Sequence, residues 1–259
     1  MTHRLLDRYI AGTSPIHTLD PRVKLVLTIA FIVCAALLPA GAWLGLAGLT
    51  ALVWVAIALS GVGLATILRR ALVALPFALV AITVVFSVPG HPIVQLPLGA
   101  ITLTITDAGV IRFGSILWKS WISVQAALLL TATTHFVQVL WALRALRLPT
   151  IIVTLLSFMY RYLFVLVDEA QRLMRARDCR SAGNGRSIWW RARVTGRMVG
   201  TLLLRALERS ERIYVAMQSR GYTGEIRTLA TPTMSRRDRQ WSAIGLALLA
   251  IIVAQAYLG

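Results

Sequence analysis

Charged residues and cysteines are scarce in this chain of 259 residues, and acidic residues are scarcer than basic ones. Only 14% of the residues are charged and 58% are hydrophobic, whereas about a quarter of the residues of a soluble domain are charged. This scarcity excludes an ordinary soluble enzyme and a disordered tail. The two cysteines, Cys34 and Cys179, lie in unlike surroundings and predict no disulfide framework. The composition is typical of a polytopic membrane protein.

The charges that are present are mostly positive and are concentrated in one region. The chain has 27 Lys and Arg against 10 Asp and Glu, a net charge of +17. Residues 161–240 contain 17 arginines and seven acids. Cytoplasmic loops of membrane proteins carry an excess of basic residues, which accounts for this charge without a nucleic-acid partner.

Five apolar stretches reach or approach the length of about 20 residues that crosses a bilayer. They are residues 23–38, 42–60, 71–88, 121–139 and 241–257. The sequence therefore predicts an all-α, polytopic membrane helical bundle of about five spans. Between the third and fourth spans, residues 101–105 alternate between apolar and polar, a weak signal for a β-strand.

The positions of the basic residues predict the orientation of the chain. If the N-terminus lies in the cytoplasm, residues 69–70, residues 144–147 and the arginine-rich region also lie inside, as the excess of cytoplasmic Lys and Arg requires. Residues 149–167 are apolar too, but a span there would carry the arginine-rich region outside. We therefore expect residues 149–167 to lie along the membrane surface or beneath the bundle.

The arginine-rich region predicts two long helices. The first includes residues 161–182, which contain no proline, and the second runs from about Ser187 to Arg220 before Gly221. A helix of over 30 residues is about 50 Å long. We expect a four-span membrane region at 1–148, a cytoplasmic region of amphipathic helices at 149–225, and a linker with the last span at 226–259.

No set of residues predicts catalysis or metal binding. The chain lacks a Walker A sequence, its four histidines are scattered, and its predicted spans contain almost no ionisable residue. We therefore expect no catalytic residue, metal ligand or cofactor. A membrane-embedded lipid-modifying enzyme is the alternative of another class, but Asp20 and Asp107 are its only candidate acids and do not form a set. A nucleic-acid binder would rest on residues 189–191 alone.

A short motif precedes the first apolar stretch. Asp20 is expected to cap a helix that begins at Pro21, with Arg22 and Lys24 at the lipid headgroups.

Two arginines are flanked by small residues near the ends of the basic helices. The two groups are Cys179-Arg180-Ser181 and Ser219-Arg220-Gly221. Small neighbours allow a guanidinium to approach a partner closely and to pair with a carboxylate through two hydrogen bonds. The alternative is that both groups only end helices, with arginines that favour the helix dipole.

Three segments carry a resemblance to a known family. They are Leu19-Asp-Pro-Arg-Val-Lys-Leu25, Tyr160-Arg-Tyr-Leu-Phe-Val-Leu166, and the stretch from Glu208 to Tyr222. The chain resembles the transmembrane T components of energy-coupling factor (ECF) ABC transporters, and within them the cobalt-type branch, CbiQ. In that family the two arginine motifs read roughly Ala-Arg-Gly, so both motifs depart from the pattern while keeping small flanking residues.

The resemblance implies a non-catalytic coupling subunit in a bacterial or archaeal cytoplasmic membrane. Its partners would be two cytosolic ABC ATPase subunits, bound through the arginine motifs, and a membrane S component that binds the substrate. Arg177 is a local competitor of Arg180 as the first motif. The implied cargo is cobalt or nickel; residues 8–15 also resemble vitamin-type T components, which remain the second possibility.

Overall fold

The computed structural model describes residues 9–72, 76, 80–98, 101–180, 187–224 and 234–258 of the chain. Ten α-helices and one β-hairpin lie within these residues. The helices are α1 (Pro15–Thr18), α2 (Pro21–Leu37), α3 (Trp43–Ser60), α4 (Leu64–Ala71), α5 (Thr83–Ser87), α6 (Asp107–Thr133), α7 (Phe136–Ala145), α8 (Thr150–Arg180), α9 (Ile188–Gln218) and α10 (Arg236–Leu258). The prediction of a polytopic helical bundle is confirmed.

The chain divides into two compact units. The first contains residues 1–142 and 232–259, so that the C-terminal helix α10 joins the N-terminal helices, and the second contains residues 143–231. In the first unit, α2, α3, α6 and α10 surround a core in which Leu46, Leu49, Ile57 and Ile122 are fully buried. In the second unit, α8 and α9 pack on each other.

Two hydrogen bonds between side chains join α3 to α6 inside the first unit. The indole Nε1 of Trp54 donates to Oε1 of the fully buried Gln125 at 3.1 Å, and Nε1 of Trp118 donates to Oγ1 of Thr50 at 2.8 Å. An unpaired polar group in such a core costs free energy, so these bonds fix the positions of α3 and α6 relative to one another.

Among the residues that the structure describes, four helices are long and apolar enough to cross a membrane. They are Trp43–Ser60, Asp107–Thr133, Thr150–Arg180 and Arg236–Tyr257. The first and last contain most of the predicted spans 42–60 and 241–257. The predicted span 23–38 corresponds to α2, which has 17 residues. The predicted surface stretch 149–167 lies within the continuous helix Thr150–Arg180, and its position relative to the membrane stays a prediction.

The predicted span 121–139 has the wrong bounds. The helix begins at Asp107, where Thr106 Oγ1 accepts a hydrogen bond from the backbone of Gly109 at 3.1 Å. It ends at Thr133, because Thr134 adopts an extended backbone with ψ of 125°, and a new helix starts at Phe136. The N-cap residue Thr106, rather than the apolar composition, determines where this helix begins.

The predicted span 71–88 is not one continuous helix in the described residues. Helix α4 ends at Ala71, a 3₁₀ turn occupies Val80–Ile82, and α5 covers Thr83–Ser87. Residues 73–75 and 77–79 lie outside the described part. After α5, strands β1 (Pro92–Leu98) and β2 (Ile101–Thr106) form an antiparallel hairpin, which confirms the strand signal at 101–105.

Gly109 marks the closest approach of α6 to the segment before the hairpin. A Cβ at this position would lie 2.5 Å from the backbone oxygen of Val85. We expect Gly109→Ala to lower the free energy of unfolding by about 1–3 kcal/mol, the range for overpacking a tight contact. Gly196→Ala is the matched control, since no atom lies within 4 Å of its Cβ, and alanine favours a helix by about 0.5–1 kcal/mol. Thermal unfolding in detergent measures both, and equal midpoints would contradict the contact.

Candidate functional site

The two predicted arginine motifs lie in the second unit, at the ends of its two long helices. Each of these helices, α8 and α9, has 31 residues, which corresponds to about 46 Å at 1.5 Å per residue. Their existence and length agree with the sequence prediction. Residues 181–186, between the two long helices, lie outside the described residues.

Helices α8 and α9 contact each other near their middles and run in opposite directions. Glu169 Oε1 accepts a hydrogen bond from Arg205 at 2.5 Å. Residues that precede Glu169 on α8 line the same groove as residues that follow Arg205 on α9. The two helices must therefore run in opposite directions. The groove is lined by Phe158, Tyr162, Val165 and Leu166 of α8 and by Ala206, Arg209, Ser210, Ile213, Tyr214 and Met217 of α9.

Glu169 forms ion pairs with one arginine of each helix where α8 and α9 contact each other. Besides the bond to Arg205, its Oε2 lies 3.0 Å from the guanidinium of Arg172, three residues further along the same helix. The Glu169 side chain is only 13% exposed. The hydrogen bond from Arg205 holds the pKa of the Glu169 carboxyl below its ordinary value. The ion pair of Glu169 with Arg205 thus links α8 to α9 at this point.

The first arginine motif lies at the C-terminal end of α8. Cys179 and Arg180 are exposed, and Ser181 lies outside the described residues. Within the described part of the chain, the guanidinium of Arg180 has no partner. The competing Arg177 is engaged by its neighbour, because its Nε and one terminal nitrogen donate to Asp178 Oδ1 at 2.9 and 2.8 Å.

The second motif forms the C-cap of α9. Gly221 adopts a positive φ of 77°, its backbone N–H donates to Gln218, and the N–H of Tyr222 reaches the carbonyl of Met217. Only glycine adopts this left-handed conformation without strain, so Gly221 ends the helix. Ser219 Oγ donates to the carbonyl of Val215 at 3.0 Å, and Arg220 is left exposed.

Arg180 and Arg220 lie at opposite ends of the pair of helices α8 and α9. Arg180 follows Glu169 by about 17 Å and Arg220 follows Arg205 by about 23 Å, at 1.5 Å per helical residue. Because the helices run in opposite directions, these distances extend away from the crossing on opposite sides. The unit can therefore present one free guanidinium to each of two separate acidic surfaces.

The N-terminal motif lies in the first unit and joins α2 to the start of α10. Asp20 caps α2, as predicted, with Oδ1 accepting from the backbone N–H of Arg22 at 2.8 Å and Pro21 in the first turn. The backbone N–H of Asp20 donates to Oδ1 of Asp238 at 3.3 Å, across 218 positions of the chain. Asp238 Oδ2 also accepts from the backbone of Ser235 at 2.9 Å.

Lys24 is buried, so its predicted position at the lipid headgroups is wrong. Its side chain is 7% exposed, and its Nζ donates to the carbonyls of His17 at 3.0 Å and Thr133 at 3.1 Å. The ammonium interacts electrostatically with the nearby carboxylates of Asp20 and Asp238. These two carboxylates and the carbonyl at the end of α6 partly offset the cost of removing the ammonium group from water.

Arg22 and His17 complete the N-terminal motif. The guanidinium of Arg22 lies over the ring of Trp141, 4.1 Å from its centroid, a cation–π contact. His17 Nδ1 lies 2.7 Å from Ser14 Oγ and Nε2 lies 3.0 Å from the carbonyl of Ile10. The motif thus ties the N-terminal segment, α2, α6 and α10 together.

Asp238 and Ser235 are the residues of this motif that the sequence prediction missed. A detectable signal was present: Ser235 and Asp238 have the spacing of a capping box, and Oγ of Ser235 accepts in return from the N–H of Asp238 at 3.2 Å. Lys119 on α6 donates to the carbonyls of Ala36 and Leu38 at the end of α2. There it compensates the negative end of the helix.

In the part of the chain that the structure describes, no three His, Cys, Asp or Glu side chains gather as metal ligands would.

The family model described as CbiQ, cobalt transport protein, matches residues 12–231 of the chain. This match includes the N-terminal motif up to Lys24 and both arginine motifs, but not Ser235 or Asp238.

Similar proteins include two named energy-coupling factor transporter transmembrane protein EcfT. The one from Heliobacterium modesticaldum is 30% identical over 245 residues, covering 90% of each chain. The one from Lactococcus lactis is 30% identical over 231 residues, covering 86% of each chain. The cobalt transport protein CbiQ of Salmonella typhimurium is 27% identical over 162 residues, 59% of this chain and 69% of that protein. The chain belongs to the CbiQ/EcfT family of energy-coupling factor transporter transmembrane proteins.

Proposed function

We propose that this chain is a T component that transmits the motion of two cytosolic ABC ATPase subunits to a substrate-binding S component in the membrane. The observation that carries the proposal is the pair of exposed arginines, Arg180 and Arg220, at opposite ends of two crossed helices. A T component must bind two ATPase subunits at once, and this arrangement provides one exposed arginine for each of them. The names of the EcfT relatives agree with membership of such a transporter.

Arg180, rather than Arg177, is proposed as the first contact. A guanidinium that already binds Asp178 would have to give up two hydrogen bonds before it could pair with an ATPase, whereas Arg180 has no such bonds within the described residues. Cys179 and Gly221, beside the two arginines, are small enough to allow close approach.

The proposed mechanism is mechanical. Closure of the ATPase pair on ATP changes the distance between the docked arginines and thereby the angle at which α8 and α9 cross. Because Glu169, Arg205 and the aromatic residues of the groove hold the crossing point, the helices move as levers rather than bending independently. The movement would reorient the S component and release its substrate into the cytoplasm.

Cobalt, or nickel, is proposed as the cargo, with a vitamin as the second candidate. The description of the matching family model favours cobalt. Relatives that cover more of the chain are named EcfT rather than cobalt transport protein. A vitamin therefore remains the second candidate for the cargo. In either case the substrate would be bound by the S component.

The test is purification of the tagged chain from its native membranes in mild detergent, followed by mass spectrometry of the proteins retained. We expect ABC ATPase subunits and one small apolar membrane protein. If the chain is recovered without any ATPase from cells that contain ECF ATPases, the proposed function is wrong. Uptake of radioactive cobalt and of radioactive vitamins by cells with and without the chain then identifies the cargo.

A further inference from the structure

The first unit contains an apolar cavity that its own side chains leave unfilled. The cavity measures about 270 Å³ and lies between α2, α3, α6 and α10. Protein interiors are normally filled to the density of organic crystals, and an apolar cavity of about 150 Å³ already binds a benzene-sized molecule. A space of this size inside a membrane-spanning unit therefore predicts an apolar occupant.

The cavity arises because α3 and α10 diverge. At one end the two helices touch, since a Cβ on Gly45 would lie 3.1 Å from Cβ of Ala256 and one on Gly48 would lie 3.7 Å from Ile252. At the other end, the segments 52–59 and 241–249 line opposite walls of the cavity. The space is thus a wedge that narrows towards Gly45.

The wedge opens to the outside of the unit. Four of its lining residues are also well exposed, namely Val55 and Leu59 on α3 and Ile244 and Leu248 on α10. In a bilayer this mouth faces hydrocarbon, so a lipid chain can enter without any movement of the protein. No polar group blocks the entrance, because all four residues are aliphatic.

An exposed arginine, Arg237, lies near the wide end of the wedge. Lys24 lines the cavity there, together with Trp241. Arg237 precedes Trp241 by one helical turn and therefore lies on the same face of α10. Its side chain is exposed and hydrogen-bonds to none of the described residues, whereas Asp238 is turned inwards to the backbones of Asp20 and Ser235. A free guanidinium beside a tryptophan is suited to a phosphate at the membrane interface.

We propose that this wedge binds one anionic glycerophospholipid, with an acyl chain between α3 and α10 and the headgroup phosphate at Arg237. The lipid completes the packing of the first unit where α10 separates from α3. The proposal depends on the membrane location of that unit and not on the arginine-tipped helices of the second unit, so the two proposals can fail independently.

The test is native mass spectrometry of the full chain in detergent, titrated with phosphatidylglycerol and, separately, with phosphatidylcholine. We expect phosphatidylglycerol to be retained more strongly. Arg237→Gln should weaken its binding about fivefold, the ratio for one basic residue at an anionic lipid surface. Arg239→Gln is the control, because residue 239 lies about 200° around the helix from residue 237. Equal binding of the two lipids, or equal loss in both variants, would overturn the headgroup assignment.

A second pair of variants tests the acyl chain. Ala56 lines the wedge, and Ala56→Phe should weaken phosphatidylglycerol binding about tenfold, as the loss of two buried methylene groups would. Ala58→Phe adds the same volume on an exposed position that does not line the cavity. A photoreactive side chain at Val55 should crosslink to lipid in the assembled transporter. A crosslink to protein, or unchanged binding in Ala56→Phe, would show that the wedge holds something other than a lipid.

Discussion

Replacing Arg180 and Arg220 together by alanine is expected to abolish coupling to the ATPases while the chain stays inserted and folded. Both side chains are exposed and have no partner in the described part of the chain, so their removal costs the isolated protein little. Removing one member of a buried, hydrogen-bonded charge pair typically costs about 2–5 kcal/mol of binding. Loss at two such contacts should weaken ATPase retention by at least about a thousandfold, which corresponds to about 4 kcal/mol.

The measurement is the amount of ATPase that copurifies with the chain, together with substrate uptake by cells. Arg175→Ala with Arg212→Ala is the matched control, because these exposed arginines lie on the same two helices and remove the same charge. The control pair should retain its ATPases and most of its transport. If the Arg180 and Arg220 variant transports substrate normally, the arginines are only helix ends.

The single variants distinguish the two possible first motifs. Arg180→Ala should lose ATPase binding on one side, whereas Arg177→Ala should lose only its own ion pair with Asp178. If Arg177→Ala has the stronger effect on ATPase retention, the first contact has to be reassigned.

Lys24→Met is expected to destabilise the first unit by about 1–3 kcal/mol, the range for leaving a buried hydrogen-bonding group without its partner. The variant leaves the carbonyls of His17 and Thr133 without their donor and the carboxylates of Asp20 and Asp238 without their counter-ion. Thermal unfolding in detergent measures the change. Arg239→Met, an exposed change in the same basic segment, should stay within about 0.5 kcal/mol of the wild type.

A second substitution separates the charge effect from a packing effect. Lys24→Met combined with Asp238→Asn should be less destabilised than the sum of the single variants, because the second change removes a carboxylate that the first leaves uncompensated. We expect a coupling free energy of about 1–3 kcal/mol. Strict additivity would show that Lys24 and Asp238 act independently, which would contradict the network described here.

Local features of the fold were predictable from the sequence. Asp20 and Pro21 start α2 and Gly221 ends α9 as predicted, because helix caps involve residues only a few positions apart. The alternating residues at 101–105 form a strand for the same reason, since the period of two is a local property.

The failures concern residues whose partners are distant in the chain. Lys24 has two partners near it in sequence, the carboxylate of Asp20 and the carbonyl of His17, but its burial also depends on Asp238 and Thr133, which lie far along the chain. The bounds of α6 were misplaced because apolar composition does not reveal where a threonine caps a helix or where the backbone becomes extended.

The sequence by itself determined that this chain is a membrane bundle with an arginine-rich pair of long helices, because composition, charge distribution and helical periodicity are summed along the chain. Tertiary structure alone decided that Arg180 and Arg220 face opposite ways and that a buried lysine links α2 to α6. It also decided that α3 and α10 diverge around an apolar wedge. These features depend on which side chains are in contact after folding. The free energy of a buried charge or of an unfilled cavity depends on those contacts.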